Sequence, residues 1–254
     1  MKANSQIRLK SPNEVDILRK AGKILASIIS QLSSSLTSGM TTKEIDRYAE
    51  EFILKNKVKS AFKGYRGFPA VACISVNEAV VHGIPNQRVV KNGDIVSLDI
   101  GIIHEGYYSD TAITLPVGEV SPEVKRLMEI GEASLYRGIE QARVGNHLTD
   151  ISYAVQSFVE LHGFTVVRDF VGHGIGKELH EDPEIPNYGK PGQGPVLKAG
   201  MVFAIEPMVN LGSHRTKILN DGWTVVTQDG KPSVHFEHCI VITDKGPEIL
   251  TCLR

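Results

Sequence analysis

The chain has 254 residues, 41% of them hydrophobic, a formal net charge of −1 and three cysteines. This fits a globular protein with a sizeable core, and it lacks the basic excess that nucleic acid or an anionic membrane attracts. An odd cysteine count without Cys-x-x-Cys spacing argues against a disulfide framework, and no apolar run nears the ~20 residues of a membrane span. A cytoplasmic protein is expected.

Met1-Lys2-Ala3-Asn4 is polar and lacks the apolar segment of a secretory leader. Ser11-Pro12-Asn13-Glu14 is a capping box with proline at the first helical position, and Leu18, Ala21, Leu25, Ile28 and Leu32 follow at helical spacing. Thr41-Thr42-Lys43-Glu44 caps a second helix whose inner face is expected to carry Ile45, Tyr48, Ala49 and Phe52. Ala61 to Pro69 reads as a loop from its glycines and proline, and Val71 to Val76 as a strand. His82 precedes a Gly-x-Pro turn, where a lone histidine is more often structural than functional.

Lys91 to Asp110 predicts a β-hairpin. Val96, Leu98, Ile100 and Ile102 alternate with other residues, His104-Glu105-Gly106 forms the turn, and Tyr107-Tyr108 begins the return. Folding about His104-Glu105 sets Asp99 nearly opposite Asp110, so two carboxylates face each other unless a one-residue slip turns one to water. Ser121-Pro122-Glu123 then opens a third helix, and Leu148 to Ile151 a fourth that ends near Gly163.

The second half echoes the first. Lys198-Ala199-Gly200 leads through an apolar run to Glu206, as Lys91-Asn92-Gly93 leads to Asp99, and the strand His235 to Ile242 supplies Glu237 as the first return strand supplies Asp110. The order helix, helix, strands thus occurs twice, predicting one α/β (α+β) domain over 1–254 with pseudo-symmetric halves of roughly 11–118 and 121–250. His173 and His180 lie in a glycine-rich loop where backbone approaches something closely. That loop fits neither a dinucleotide fingerprint nor His-Glu-x-x-His, since position 184 is Glu and Pro183 interrupts any helix.

Four carboxylates, Asp99, Asp110, Glu206 and Glu237, gathered in one cleft would need two divalent cations. Oxygen-rich ligation with one imidazole suits Mn, Co, Fe or Zn, and paired metals polarise carbonyls and activate water. From the residues alone, metal-assisted hydrolysis is as far as the chemistry reaches.

His82-Gly83-Ile84-Pro85, the Asp99–Asp110 hairpin, Gly172-His173-Gly174-Ile175-Gly176 with Leu179-His180-Glu181-Asp182-Pro183, Ile205-Glu206-Pro207-Met208-Val209, Asp221 to Gly230 and Phe236-Glu237-His238 resemble type I methionine aminopeptidases over nearly the whole chain. The resemblance implies a pita-bread fold, with a central antiparallel sheet flanked by helices and pseudo-twofold symmetry. It implies that Asp99, Asp110, His173, Glu206 and Glu237 hold two divalent ions (Co, Mn, Fe or Zn), with Asp110 and Glu237 bridging. A hydroxide shared by the ions would attack the carbonyl after an N-terminal methionine, Glu206 relaying the proton. His180 would hold the tetrahedral intermediate and His82 the amide after the methionine. Tyr65, Phe68, Cys73 and Trp223 would line the methionine pocket, a slot suited to a thioether, with Cys73 a wall and not a nucleophile.

The expected substrates are N-termini of nascent polypeptides with a small second residue, met at the ribosome by a monomer without nucleic-acid or membrane contact of its own. Met1 before Lys2 should therefore be retained. Leu179 departs from the aromatic residue often found at its position, and His235 from a frequent glutamine. Rivals are a prolidase or aminopeptidase P, which carry an extra N-terminal domain, a ligand-free binding module, and an oxygenase using His235 and Glu237 with a distant histidine.

Overall fold

A computed structural model describes residues 7–253. The expectations that rest on Met1 to Asn4 lie outside the described residues.

Both halves begin with a capped helix pair. Helix α1 (Pro12–Ser35) has Ser11 at its N-cap, where the Glu14 carboxylate accepts from the Ser11 N–H and the Ser11 hydroxyl accepts from the Glu14 N–H. Leu18, Ala21, Leu25, Ile28 and Leu32 are all buried, as their spacing predicts. Helix α2 (Thr42–Lys55) repeats the box with Thr41 and Glu44. Its buried stripe is Ile45, Ala49 and Ile53, while Tyr48 and Phe52 are half-buried at its margin. The i, i+4, i+8 row points at the core, and the expected face was rotated by part of a turn. Helices α3 (Pro122–Gln141) and α4 (Leu148–Leu161) form the second pair.

A curled antiparallel sheet of nine strands lies above the helices. Its main path runs Lys59–Ser60, Ile95–His104, Tyr107–Pro116, Glu237–Thr243, Val202–Ile205, Gly172–Gly174, Glu181–Ile185. Ala72–Val76 joins Ile95–His104 off this path, and Gly246–Ile249 joins Glu237–Thr243. The strands Tyr107–Pro116 and Glu237–Thr243 pair across the seam between the halves. Each half has its own helix-side core. Leu25, Ile28 and Ile45 pack with Val96, Leu98, Ile100 and Ile102, and Leu135, Ile139 and Ile151 pack with Phe203, Ile205, Ile240 and Ile242. This is the pita-bread arrangement.

The alternation seen in the sequence separates core from site, not inside from outside. Ile95 to Ile102 are buried without interruption, because helices cover one face and the concave face is a walled cleft. Odd positions Ser97, Asp99 and Gly101 therefore share the concave face while even positions meet the helices. The same rule puts Ala204 and Glu206 on the concave side against Phe203 and Ile205, and Glu237 and Cys239 against Ile240.

The hairpin register differs from expectation by one turn position. Glu105 and Gly106 alone form the loop, with φ of 50° and 79°, and His104 pairs with Tyr107, the geometry of a tight two-residue hairpin. Asp99 consequently pairs with Ala112 and Asp110 with Gly101. The offset amounts to two residues, so both aspartates still share a face. The strand expected from His235 is also divided: Ser233–His235 belongs to a small sheet with Met208–Asn210, and Phe236 separates it from Glu237–Thr243. Among the described residues no helix is long and apolar enough to cross a membrane.

Candidate metal centre

The concave face carries two rows of side chains. Cys73, Asp99, Ala112 and Glu237 succeed one another across four paired strands. On the next row, Gly101 pairs with Asp110, whose N–H donates to Cys239 Sγ at 3.3 Å, and Cys239 pairs with Ala204, which pairs with His173. The residues between the acids are small, which leaves a hollow where the carboxylates converge.

Strands approach closely here because glycine allows it. A Cβ on Gly172 would lie 2.5 Å from the Ala204 carbonyl oxygen, and one on Gly174 would lie 2.2 Å from that of Asp182. The glycines flanking His173 thus hold its strand between two neighbours.

One cleft of about 430 Å³ is lined by every expected site residue: Tyr65, Phe68, Cys73, His82, Asp99, Asp110, His173, His180, Glu206, Trp223 and Glu237. Donor atoms of Asp110, His173 and Glu237 lie within 4.8 Å of one another, and His173 Nε2 is 3.5 Å from Glu206 Oε1. His173 Nδ1 lies 2.9 Å from the Gly174 carbonyl oxygen, so Nδ1 carries the proton and Nε2 offers its lone pair.

Burial, reinforced by Asp110, pushes the Asp99 carboxyl well above the usual carboxylate range; burial reinforced by Asp110 and then Asp99 does so for Glu206, and by Asp110 and then Glu206 for Glu237. Burial also raises Asp110. Such a group cannot ionise together without cations. Asp99 Oδ1, Asp110 Oδ1 and Glu237 Oε1 are buried without a hydrogen-bond partner among the described residues. Arg66, the one permanent cation among the described lining residues, stacks on the Tyr65 ring 5.3 Å away.

The flanking walls are aromatic. Phe68 meets Trp223 edge to face at 5.1 Å, and Tyr65 Oη lies 2.8 Å from His180 Nδ1. His82 has a left-handed φ of 57°, uncommon for a residue with a side chain, and packs edge-on against Phe170 at 5.5 Å. Burial lowers it to about 4, so it is neutral at physiological pH. The Cys73 thiol is raised well above its ordinary value by burial and by Asp99 and Asp110, which opposes the thiolate a nucleophile needs.

Residues 16–244 match the model of metallopeptidase family M24. The chain is 56% identical to the methionine aminopeptidase of Clostridium perfringens, covering 98% of this chain and 100% of that one, and 53% identical to methionine aminopeptidase 1 of Bacillus subtilis, covering 95% and 98%. The chain belongs to metallopeptidase family M24, among the methionine aminopeptidases.

Methionine aminopeptidase from Thermotoga maritima superposes with a TM-score of 0.96 at 46% identity, covering 98% of this chain and all of that one. The prolidase of Pyrococcus furiosus shares the fold at a TM-score of 0.78 and 24% identity, with 66% of its length matched. Within an M24 metallopeptidase the orphaned oxygens acquire a purpose: carboxylates plus one imidazole lone pair are a donor set for hard or borderline divalent ions. The residues present fit a metal centre. The oxygenase reading fails here, since it leaves Asp99, Asp110 and Glu206 unexplained.

The sequence pointed less well to the rest of the wall. Phe62, Val81 and Phe170 also line the cleft from outside the motifs, and Met208 from within Ile205 to Val209. Leu179, noted as a departure, is buried beside Phe68 and Cys73. His235, also a departure, lines the cleft with Nε2 3.5 Å from Glu206 Oε2.

Proposed function

We propose that this protein removes the N-terminal methionine from polypeptides whose second residue is small. The carrying observation is one cleft lined by Asp99, Asp110, His173, Glu206 and Glu237 beside an aromatic, sulfur-edged slot, with donor atoms of Asp110, His173 and Glu237 within 4.8 Å of one another. Asp99, Asp110, His173, Glu206 and Glu237 would hold two divalent cations. When bound, these ions supply Lewis acidity to the scissile carbonyl and acidify a water for attack.

The chain's own groups do the rest. Glu206 accepts the proton of the attacking water and returns it to the leaving amine. Tyr65 donates its hydroxyl proton to His180 Nδ1, which leaves His180 Nε2–H as donor to the developing oxyanion. Neutral His82 donates to the backbone beyond the methionine. Tyr65, Phe68, Cys73 and Trp223 enclose the thioether side chain, with Leu179 completing the wall.

The whole chain acts as one catalytic unit, its two halves each giving acids to the centre. The substrates are newly made N-termini, met in the cytoplasm at the ribosome by a monomer. The test is methionine release from Met-Xaa peptides of increasing Xaa size: release should be fast for Ala or Ser and negligible for large side chains. Equal rates across the series would refute the specificity.

A further inference from the structure

His235 is 2% exposed, faces the cleft, and its Nε2 has no hydrogen-bond partner among the described residues. A buried ring nitrogen left unpaired is costly, so something should complete it. Its Nε2 approaches Glu206, whose two oxygens are divided between two imidazoles: Oε1 lies 3.5 Å from His173 Nε2, and Oε2 lies 3.5 Å from His235 Nε2. His173 offers a lone pair and belongs to the three-residue donor group with Asp110 and Glu237. His235 is outside that group, on the other oxygen of the carboxylate.

The backbone of His235 is held in place. Thr114 Oγ1 accepts from the His235 N–H and donates to its carbonyl, both at 2.9 Å, and Ser97 Oγ fixes that hydroxyl at 2.8 Å. A carboxylate oxygen offers lone pairs, so a ring lone pair turned toward it would be repelled, whereas a ring N–H would be attracted.

We infer that His235 is a positioning residue, donating Nε2–H to Oε2 of Glu206 and so reserving Oε1 for the cation and for the proton it relays. The inference rests on the proposed role of Glu206. Hydrogen bonds of this kind are often long in unliganded sites and tighten when the site is loaded. Glutamine can make the same donation through its side-chain amide; asparagine, one methylene shorter, cannot reach, and leucine cannot donate.

The test uses the full chain with His235→Gln, His235→Leu and His235→Asn, each checked for folding by circular dichroism. Steady-state kinetics on Met-Ala-Ser are joined by calorimetric titration of metal-free protein with Mn(II) and by the visible spectrum of the Co(II)-loaded form. Leu and Asn should lower kcat and weaken Mn(II) binding by about 10–100-fold, with KM changed less than about threefold. Gln should restore both, with the Co(II) bands unaltered from the wild type. If the Leu variant does not fold, the Asn variant decides.

Wild-type kcat and Mn(II) affinity in the folded variants without the donor would overturn the inference. A Co(II) spectrum altered by His235→Gln would also overturn it, by making His235 a ligand. Glu206→Gln is the separate control: if it turns over normally, the relay role of Glu206 fails, whatever the His235 variants do.

Discussion

Asp99 and Glu237 flank the same residue: both pair with Ala112, one from each neighbouring strand. Residues paired in this way share a face, so an acid from the first half and an acid from the second are separated by one methyl group. Ala112→Leu would fill that gap. We expect a folded protein destabilised by about 1–3 kcal/mol through overpacking, with cation affinity reduced at least tenfold. Thermal unfolding and Mn(II) titration of the same sample check this, and unchanged affinity would show that the space beside Ala112 is not used.

The cap of α1 predicts a pH dependence outside the cleft. The Ser11 backbone N–H holds the Glu14 carboxyl at about 2 against opposing burial, helped by the Ser11 hydroxyl, the Tyr107 hydroxyl and Arg8. A carboxyl depressed on folding contributes stability that is complete above its ordinary 4.5 and is lost as pH falls toward about 2. Glu14→Gln should therefore cost about 1 kcal/mol near pH 6, a cost that shrinks as pH falls through about 2. Melting of metal-free protein across that range is the check. A difference that stays constant with pH would contradict it.

Cys73 should behave as a wall. Its buried thiol is raised well above its ordinary value, so alkylation of the native protein at pH 7.5 should leave it unmodified, as it should buried Cys239. Cys73→Ala should raise KM for methionyl peptides several-fold while hydrolysis persists. Loss of all turnover in a folded Cys73→Ala protein would restore the nucleophile reading.

The edge-to-face pair of Phe68 and Trp223 should set methionine selectivity. Aromatic pairs of this geometry contribute about 0.5–1.5 kcal/mol beyond their burial. Trp223→Ala is expected to lower kcat/KM by at least tenfold, mostly through KM. A fall confined to kcat would mean that Trp223 serves the reaction and not the pocket.

Much of this was legible before the fold was known. Ser11 and Thr41 announced the helices because capping is local chemistry, and the offset between Asp99 and Glu206 announced two related halves because each apolar run ends at the same cleft. The hairpin register needed the turn type: whether the fold is centred between His104 and Glu105 or between Glu105 and Gly106 is a matter of backbone φ, which composition does not specify. Tyr48 and Phe52 carry more apolar surface than Ile53, yet packing direction on α2 buries Ile53. The Tyr65–His180 bond spans 115 positions and the Glu206–His235 approach joins the link after Val202–Ile205 to the strand Ser233–His235, and no local pattern encodes either. Phe170 reaches the cleft through tertiary folding alone.

The central claim is that Asp99, Asp110, His173, Glu206 and Glu237 together hold the ions that make hydrolysis possible. The most direct test is methionine release from Met-Ala-Ser by protein stripped with a chelator, followed by stepwise return of Mn(II) or Co(II), with metal content measured on the same sample. The account predicts no release from stripped protein and recovery as ions bind. Full turnover by protein verified to be free of metal would contradict it.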